Sequence, residues 1–404
     1  MLNRAGHSVT VVDRQAGPGR ETSFANGALL TPSMSEPWNT PGWWRTLLAS
    51  LGRSNSPLQL SLNALPGLGA WGLGFLRNSS PSRFEHNTLL NLRLALYSRE
   101  VMGRLREETG IDYSRSALGT LRVFRDSAAL DQALAGLGHL SSQGVSVRRL
   151  SREATVALEP ALAPIEVQLA GAIHSDVDES GDAHRFCIEL GDVARRHGVA
   201  FRYGVDITRL DVENGLVTAA IGERDRIVAD NYVVAAGSYS TRLLRTIGLC
   251  LPVRPVKGYS VTFDDPEGRC ALRVPVVDDH LHAVVVPLEG AIRVAGTAEF
   301  AGYDLSLRQA RVDNLVGLLR QVFPEAQLDP ASAKAWCGLR AMSADGVPII
   351  GPTAVPNLAV NTGHGHLGWT MAAGSAQLLA DVLSETPASV DLTGYAPARF
   401  ARSR

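Results

Sequence analysis

The sequence predicts an α/β unit built on a parallel sheet, interleaved with a mainly antiparallel α+β domain. Two observations carry this. Parallel-sheet units recur at the start, middle and end of the 404 residues, with other material between them, which indicates two domains threaded through one another. The opening stretch, Leu2-Asn-Arg-Ala-Gly-His-Ser-Val-Thr-Val-Val-Asp13, reads as a helix end, a glycine stop, a strand and a terminal acid. That is the second half of a Rossmann-type dinucleotide-binding βαβ unit. Its first strand and G-x-G-x-x-G turn belong roughly 20 residues before Asp13, and the sequence begins too late to hold them. Gly6 suits the left-handed residue that closes a helix, and Asp13 suits a ribose diol. Both are equally compatible with ordinary turn punctuation.

The elements follow in order. After the opening strand, Gly17 to Gly27 is a loop of small and polar residues. Residues 37–76 are an insert rich in Pro, Gly and Leu that holds Trp38, Trp43, Trp44 and Trp71, four of the six tryptophans. Apolar spacing predicts a helix over 86–108, a strand over 118–124, a helix over 127–142, a strand over 145–149 and a short helix over 153–158. An amphipathic helix over 182–197 stops at Gly198, and a strand covers 199–203. Strands near 205–212, 216–221 and 226–229 form a polar meander. Tyr232 to Gly237 is a buried strand running into a glycine turn. Segments 253–263, 281–287 and 291–297 are antiparallel strands, 307–323 is a helix, and short strands at 349–350 and 358–360 lead to a helix over 367–384. The expected partition gives 1–105, 152–248 and 335–404 to the first domain. The second takes 106–151 and 249–334.

Composition removes several function classes. With 45% hydrophobic and 20% charged residues the chain is globular, and Lys+Arg 39 against Asp+Glu 40 suggests neither a nucleic-acid groove nor a polybasic anchor. The cysteines Cys187, Cys250, Cys270 and Cys337 lie far apart, without C-x-x-C or a histidine at ligand spacing, so no metal site is expected. They read as apolar fillers in a reducing, cytoplasmic compartment. No signal peptide and no run of 18 apolar residues is present.

Three segments point to chemistry. The strand ending at Ala236-Gly237, with Ser238-Tyr239-Ser240, lets backbone approach a ligand at a sheet's carboxyl edge. In Trp336 to Gly351, Arg340 stands among apolar and small residues, where an unpaired guanidinium is costly. It either pairs internally, with Asp345 as the nearest candidate, or awaits an anionic substrate whose carboxylate its planar donors fit two-on-two. In Asn361 to Ser375, a glycine turn feeds a helix whose free N–H groups suit the pyrimidine edge of a flavin. His364 and His366 have no third ligand placed to join them on a metal.

These residues resemble the FAD-dependent D-amino-acid dehydrogenases, within the wider D-amino-acid oxidase and glycine oxidase family. The likeness runs from Leu2 to about Arg399. It rests on Ala5-Gly-His…Val-Asp13, Glu21-Thr-Ser-Phe-Ala-Asn26, Pro37-Trp38, Asp178-Glu-Ser-Gly-Asp182, Gly237-Ser-Tyr-Ser240, Val256-Lys-Gly-Tyr-Ser260, Gly338-Leu-Arg340 and Asn361-Thr-Gly-His-Gly…Leu-Gly-Trp-Thr-Met371. It implies an N-terminally truncated, Rossmann-type FAD-binding domain interleaved with a substrate-binding domain that covers the flavin. By the same resemblance, FAD is held by Asp13, Arg14, Thr22, Ser23, Asn26, Gly27, Ala236, Gly237, Gly338, Gly363, His364, Gly365, Leu367 and Gly368. Arg340 clamps the substrate carboxylate. Lys257 and Tyr259 are candidates for a polar wall at the flavin, or else a surface charge and a core aromatic.

The implied reaction is oxidative deamination of a D-amino acid, with electrons passed to a quinone or other respiratory acceptor. A peripheral contact with the inner face of the cell membrane is weighed against simple packing of the insert's aromatics. The rivals are an oxygen-using oxidase of glycine, sarcosine or D-proline, and an inactive flavoprotein remnant. Two departures from the family stand out. Ala341 takes the usual proline position, implying a looser turn, and the glycine fingerprint is missing, which predicts a true start codon upstream.

Overall fold

The computed structural model describes residues 1–43, 58–60 and 65–401. Near the start, Leu2–Ala5 closes on Gly6 at φ 91°, the left-handed stop read from sequence. The β-branched strand Thr10–Asp13 follows and pairs in parallel with Ala200–Tyr203. A second parallel pair joins Tyr232–Val234 to Leu358–Thr362, which turns back antiparallel onto Ile349–Pro352. Thr10–Asp13, Tyr232–Val234 and Leu358–Thr362 lead at their carboxyl ends to Asp13, Gly237 and Gly363, the end at which a βαβ unit presents ligands.

Two helices back this layer. Pro81–Thr109 runs unbroken from a Pro start to Gly110 in the left-handed conformation. The terminal helix Gly368–Leu383 packs against it so tightly that a Cβ on Gly374 would lie 2.8 Å from Ser98 Cα. Only glycine allows that approach.

The second layer is a nine-stranded, mainly antiparallel sheet. Its order is Lys334–Ser343, Val253–Asp264, Ala291–Phe300, Ala283–Leu288, Val276–Asp278, Thr120–Phe124, Gly171–Ser175 and Arg148–Leu150, with Leu58–Leu60 pairing onto Ala291–Phe300. Helix Gln309–Val322 covers one face, burying Leu315, Leu319 and Val322 against Tyr259, Val261 and Val294. The expected partition needs correction here. Gly171–Ser175 and Lys334–Ser343, drawn into the first domain, hydrogen-bond in this sheet. Strands without visible period-2 alternation carry no sequence signal of which sheet they join.

The Trp-rich insert contributes helix Leu65–Arg77, which lies on the sheet edge that carries Arg340. Trp71 and Phe75 are buried there with Val256, Ala298 and Met342, and Trp71 Nε1 donates to the Met342 carbonyl at 3.0 Å. Burying a side chain such as Phe75 contributes about 1.5–3 kcal/mol. Trp38, Trp43 and Trp71 therefore pack on the protein itself, while Trp44 lies outside the described residues. Leu73 and Leu76 on the same helix remain exposed. Among the described residues no helix is long and apolar enough to cross a membrane.

Candidate active site

Arg340 sits in the edge strand Lys334–Ser343. Its antiparallel register with Val253–Asp264 pairs Arg340 with Val256, Gly338 with Gly258 and Trp336 with Ser260. Residues directly opposite share a face and neighbours along a strand alternate. Trp336, Gly338, Arg340, Val256, Gly258 and Ser260 thus form one face, while Lys257, Tyr259, Cys337 and Leu339 form the other.

This alternation corrects the expectation for Lys257 and Tyr259. Tyr259 belongs to the core under helix Gln309–Val322, and its hydroxyl donates to Glu299 at 2.8 Å. Lys257 is fully buried rather than a surface charge, and its Nζ donates to Asp304 Oδ2 and the Ser306 carbonyl, each at 3.1 Å. Both stand behind the sheet, so neither forms a wall beside Arg340.

The guanidinium of Arg340 folds over Gly258, where a Cβ would lie 2.4 Å from it. Its Nη1 donates to the Thr297 carbonyl at 3.1 Å. Thr297 holds φ 58°, a left-handed conformation that costs a β-branched residue about 1–3 kcal/mol. A register shift opposite Gly258 imposes it, because Lys257 pairs with Glu299 but Tyr259 with Gly296. Asp345 is taken by Arg399, whose Nε donates to it at 2.8 Å. Among the described residues no carboxylate lies within salt-bridge distance of Arg340. Burial lowers its pKa to about 10, so it stays cationic at neutral pH.

The glycine turn meets this strand directly. Met342 and His364 form an antiparallel bridge, and a Cβ on Gly365 would come within 2.9 Å of Met342 Sδ. The expected looser turn after Arg340 is absent: Ala341 continues the strand and pairs with Pro255. Gly363 and Gly365 hold φ 79° and 60°, and the turn Gly365–Leu367 and the helix from Gly368 start without a side-chain cap. The N–H of Leu367 donates to the His364 carbonyl at 3.1 Å, so the groups this turn can offer a ligand are those that precede it. Trp38 joins the two parts, with its ring 5.4 Å from the Arg340 guanidinium and stacked on His366 at 5.3 Å.

Solvent still reaches Arg340, His364 and His366, although desolvation dominates their ionisation, so they line a recess. Burial lowers His364 to about 4; burial and then the Arg340 charge lower His366 to about 3. His364 Nε2 lies 2.9 Å from Ser375 Oγ. Between these values and 6.5 the unfolded chain binds protons that the folded chain refuses, so both histidines withdraw stability as pH falls from 6.5 toward 4. Asp178, raised by burial to about 6, acts in the opposite direction over much of the same range. The His364→Gln/His366→Gln double variant is expected to lose less melting temperature than wild type between pH 6.5 and 4. Parallel melting curves would refute this assignment.

The other predicted residues lie on Thr10–Asp13 and the loop after it, and at the turn after Tyr232–Val234. Asp13 Oδ1 accepts from Gln15 N at 2.8 Å. Arg14 pairs with Glu21 and lies 3.8 Å over the Tyr239 ring. Thr22 Oγ1 donates to the Leu339 carbonyl at 3.1 Å, and Ser260 Oγ to the Ala25 carbonyl at 2.6 Å, so this loop crosses the face that carries Arg340. Ser23 meets half-buried Cys187. Asn26 Oδ1 accepts from Ala28 N at 2.9 Å, and Gly27 passes near Val284. Gly237, at φ 53°, follows Ala236 and would meet nothing with a Cβ, while its carbonyl accepts from Thr362 Oγ1 at 2.8 Å.

Sequence reasoning missed Gly258, Thr297 and Trp336. A glycine inside a strand pattern is a signal for close approach and could have found Gly258. Thr297 has no sequence signal.

A parallel unit that ends at an acid, facing a sheet that ends in a cationic recess, is the architecture of a dinucleotide-dependent oxidoreductase. Residues 1–382 match the DAO family, described as FAD dependent oxidoreductase, and the chain belongs to it. It is 43% identical over 402 residues to the D-amino acid dehydrogenase of Paramagnetospirillum magneticum, covering 99% of this chain and 94% of that one. It is 41% identical to the D-amino acid dehydrogenase of Granulibacter bethesdensis, covering 99% and 96%. Its fold matches glycine oxidase from Geobacillus kaustophilus with a TM-score of 0.78 at 22% identity, over 99% of this chain and 94% of that one. The uncapped helix start at 365–368 and the recess beside it fit an isoalloxazine edge, so FAD suits the residues present.

Proposed function

We propose that this chain oxidises D-amino acids to 2-oxo acids and ammonia and hands the electrons to a respiratory carrier such as a membrane quinone. The observation that carries the reading is Arg340, a carboxylate-free guanidinium in a recess bounded by Trp38 and the 363–368 turn. The names of the relatives at about 40% identity support the substrate class.

Arg340 grips the substrate carboxylate with two parallel N–H donors. That grip fixes the direction of the Cα–H bond, which makes reaction a matter of position. When bound, FAD supplies the hydride acceptor, and the protein supplies geometry and field. Asp13 holds the adenosine ribose, and Arg14, Thr22, Ser23, Asn26, Gly27, Ala236 and Gly237 line the route from it toward the recess. Gly365, Leu367 and Gly368 would meet the electron-rich edge of the ring, where the positive end of the helix favours negative charge. Gly363 and His364 shape that turn, and Gly338 leaves the sheet face low. His366, neutral at working pH, adds no repulsion toward Arg340. The substrate amine reacts as the free base, so rate rises with pH through its ionisation.

Exposed Leu73 and Leu76, with Leu305 and Leu307 in the loop that follows Phe300, support peripheral contact with the inner face of the cell membrane, where a quinone resides. The test is a D-amino-acid panel assayed under nitrogen with a soluble quinone analogue. Quinone reduction equal to the 2-oxo acid formed is expected. No turnover would refute the reading, and peroxide formed in air at the same rate would replace it with an oxygen-using oxidase.

A further inference from the structure

We infer that Trp336 is the surface against which the substrate's side chain lies, and that it sets the preference among D-amino acids; this rests on the carboxylate clamp proposed for Arg340. Gly338 and Gly258 are directly paired across two strands, which puts their Cα atoms about 5 Å apart. Each lacks a Cβ, and each carries another residue's side chain on the same face. The outer benzo edge of the Trp336 indole lies over Gly338, where a Cβ would be 2.2 Å from it, and the Arg340 guanidinium lies on Gly258. A planar cation and an apolar plate are thus laid side by side on one bare patch of backbone.

The other groups around this patch are committed. Val256 and Met342 are buried beneath helix Leu65–Arg77. Ser260 donates to the Ala25 carbonyl, and Trp38, 5.4 Å from the guanidinium, is stacked on His366. Lys257 and Tyr259 belong to the reverse face. Trp336 is half-buried, so part of it stays accessible on the sheet face it shares with Arg340. A substrate's β-carbon lies only two bonds from its carboxylate carbon. Once the carboxylate is on Arg340, the side chain has the indole within reach, and an apolar side chain gains by burying area there.

The experiment compares kcat/KM for D-leucine and D-alanine in wild type, Trp336→Phe and Trp336→Ala, with acetate inhibition measured in each. Trp336→Ala is expected to lower the D-leucine to D-alanine ratio about tenfold, the selectivity that a few methylenes command in an apolar site. The acetate inhibition constant stays within about twofold of wild type, because the guanidinium is untouched. Trp336→Phe, smaller but still planar, gives a ratio between the two and carries the test if the alanine variant fails to fold. A ratio that is unmoved overturns the inference. So does one that rises, since the indole would then be a barrier rather than a contact. Wild-type protein that oxidises no D-amino acid removes the function reading along with this one, whereas active wild type with an unmoved ratio removes this one alone.

Discussion

Arg340→Ala is expected to lower kcat/KM for D-amino acids about a thousandfold, the worth of two charge-assisted hydrogen bonds. The loss falls on KM and kcat together, because the same contacts bind the carboxylate and aim the Cα–H bond. Flavin content stays at the wild-type level, since the turn and helix start at 365–368 are a different element. Arg340→Lys recovers only part of the activity, because an ammonium is a point charge without the planar fork. The fold tolerates both variants: among the described residues no carboxylate pairs with this guanidinium, and burial already disfavours its charge. Unchanged KM in Arg340→Ala would remove the clamp.

Gly258→Ala is expected to cost about a hundredfold in kcat/KM through displacement of the same guanidinium, the scale set by a shift of about 1 Å in a positioning group. The added methyl would lie 2.4 Å from Arg340 Cζ and both Nη atoms, too close to coexist. Backbone pairing on either side of Gly258 is regular with Lys334–Ser343, and alanine costs less conformational entropy than glycine. Melting temperature is therefore expected to hold or rise while substrate affinity falls. That opposite movement distinguishes a moved cation from a damaged strand. Loss of stability in proportion to activity would count against the clamp geometry.

Local signals in the sequence located most elements. Gly6, Gly110 and Gly198 close helices where the pattern ended them. The helix at 183–196 lies within a residue of its expected bounds because Asp182 caps it and its apolar stripe is strong. The long strand Lys334–Ser343 was not legible, since alternation is hidden where glycine, arginine and tryptophan share one face. The same blindness put Lys257 and Tyr259 in the site. Motif proximity places residues on a strand, but only the register says which face they occupy. Arg340 illustrates the opposite case. Its two possible partners could not be separated by sequence, and the pairing of Asp345 with Arg399 removes the internal one.

The most direct test is a crystal structure of the FAD-loaded protein with a non-reactive carboxylate such as 2-aminobenzoate. The account predicts the carboxylate on Arg340 with two N–H···O contacts of about 2.8 Å. It also predicts the ring's pyrimidine edge against the backbone N–H groups of 365–368. A carboxylate bound elsewhere with Arg340 still on the Thr297 carbonyl, or a ring edge facing away from that helix start, would contradict it.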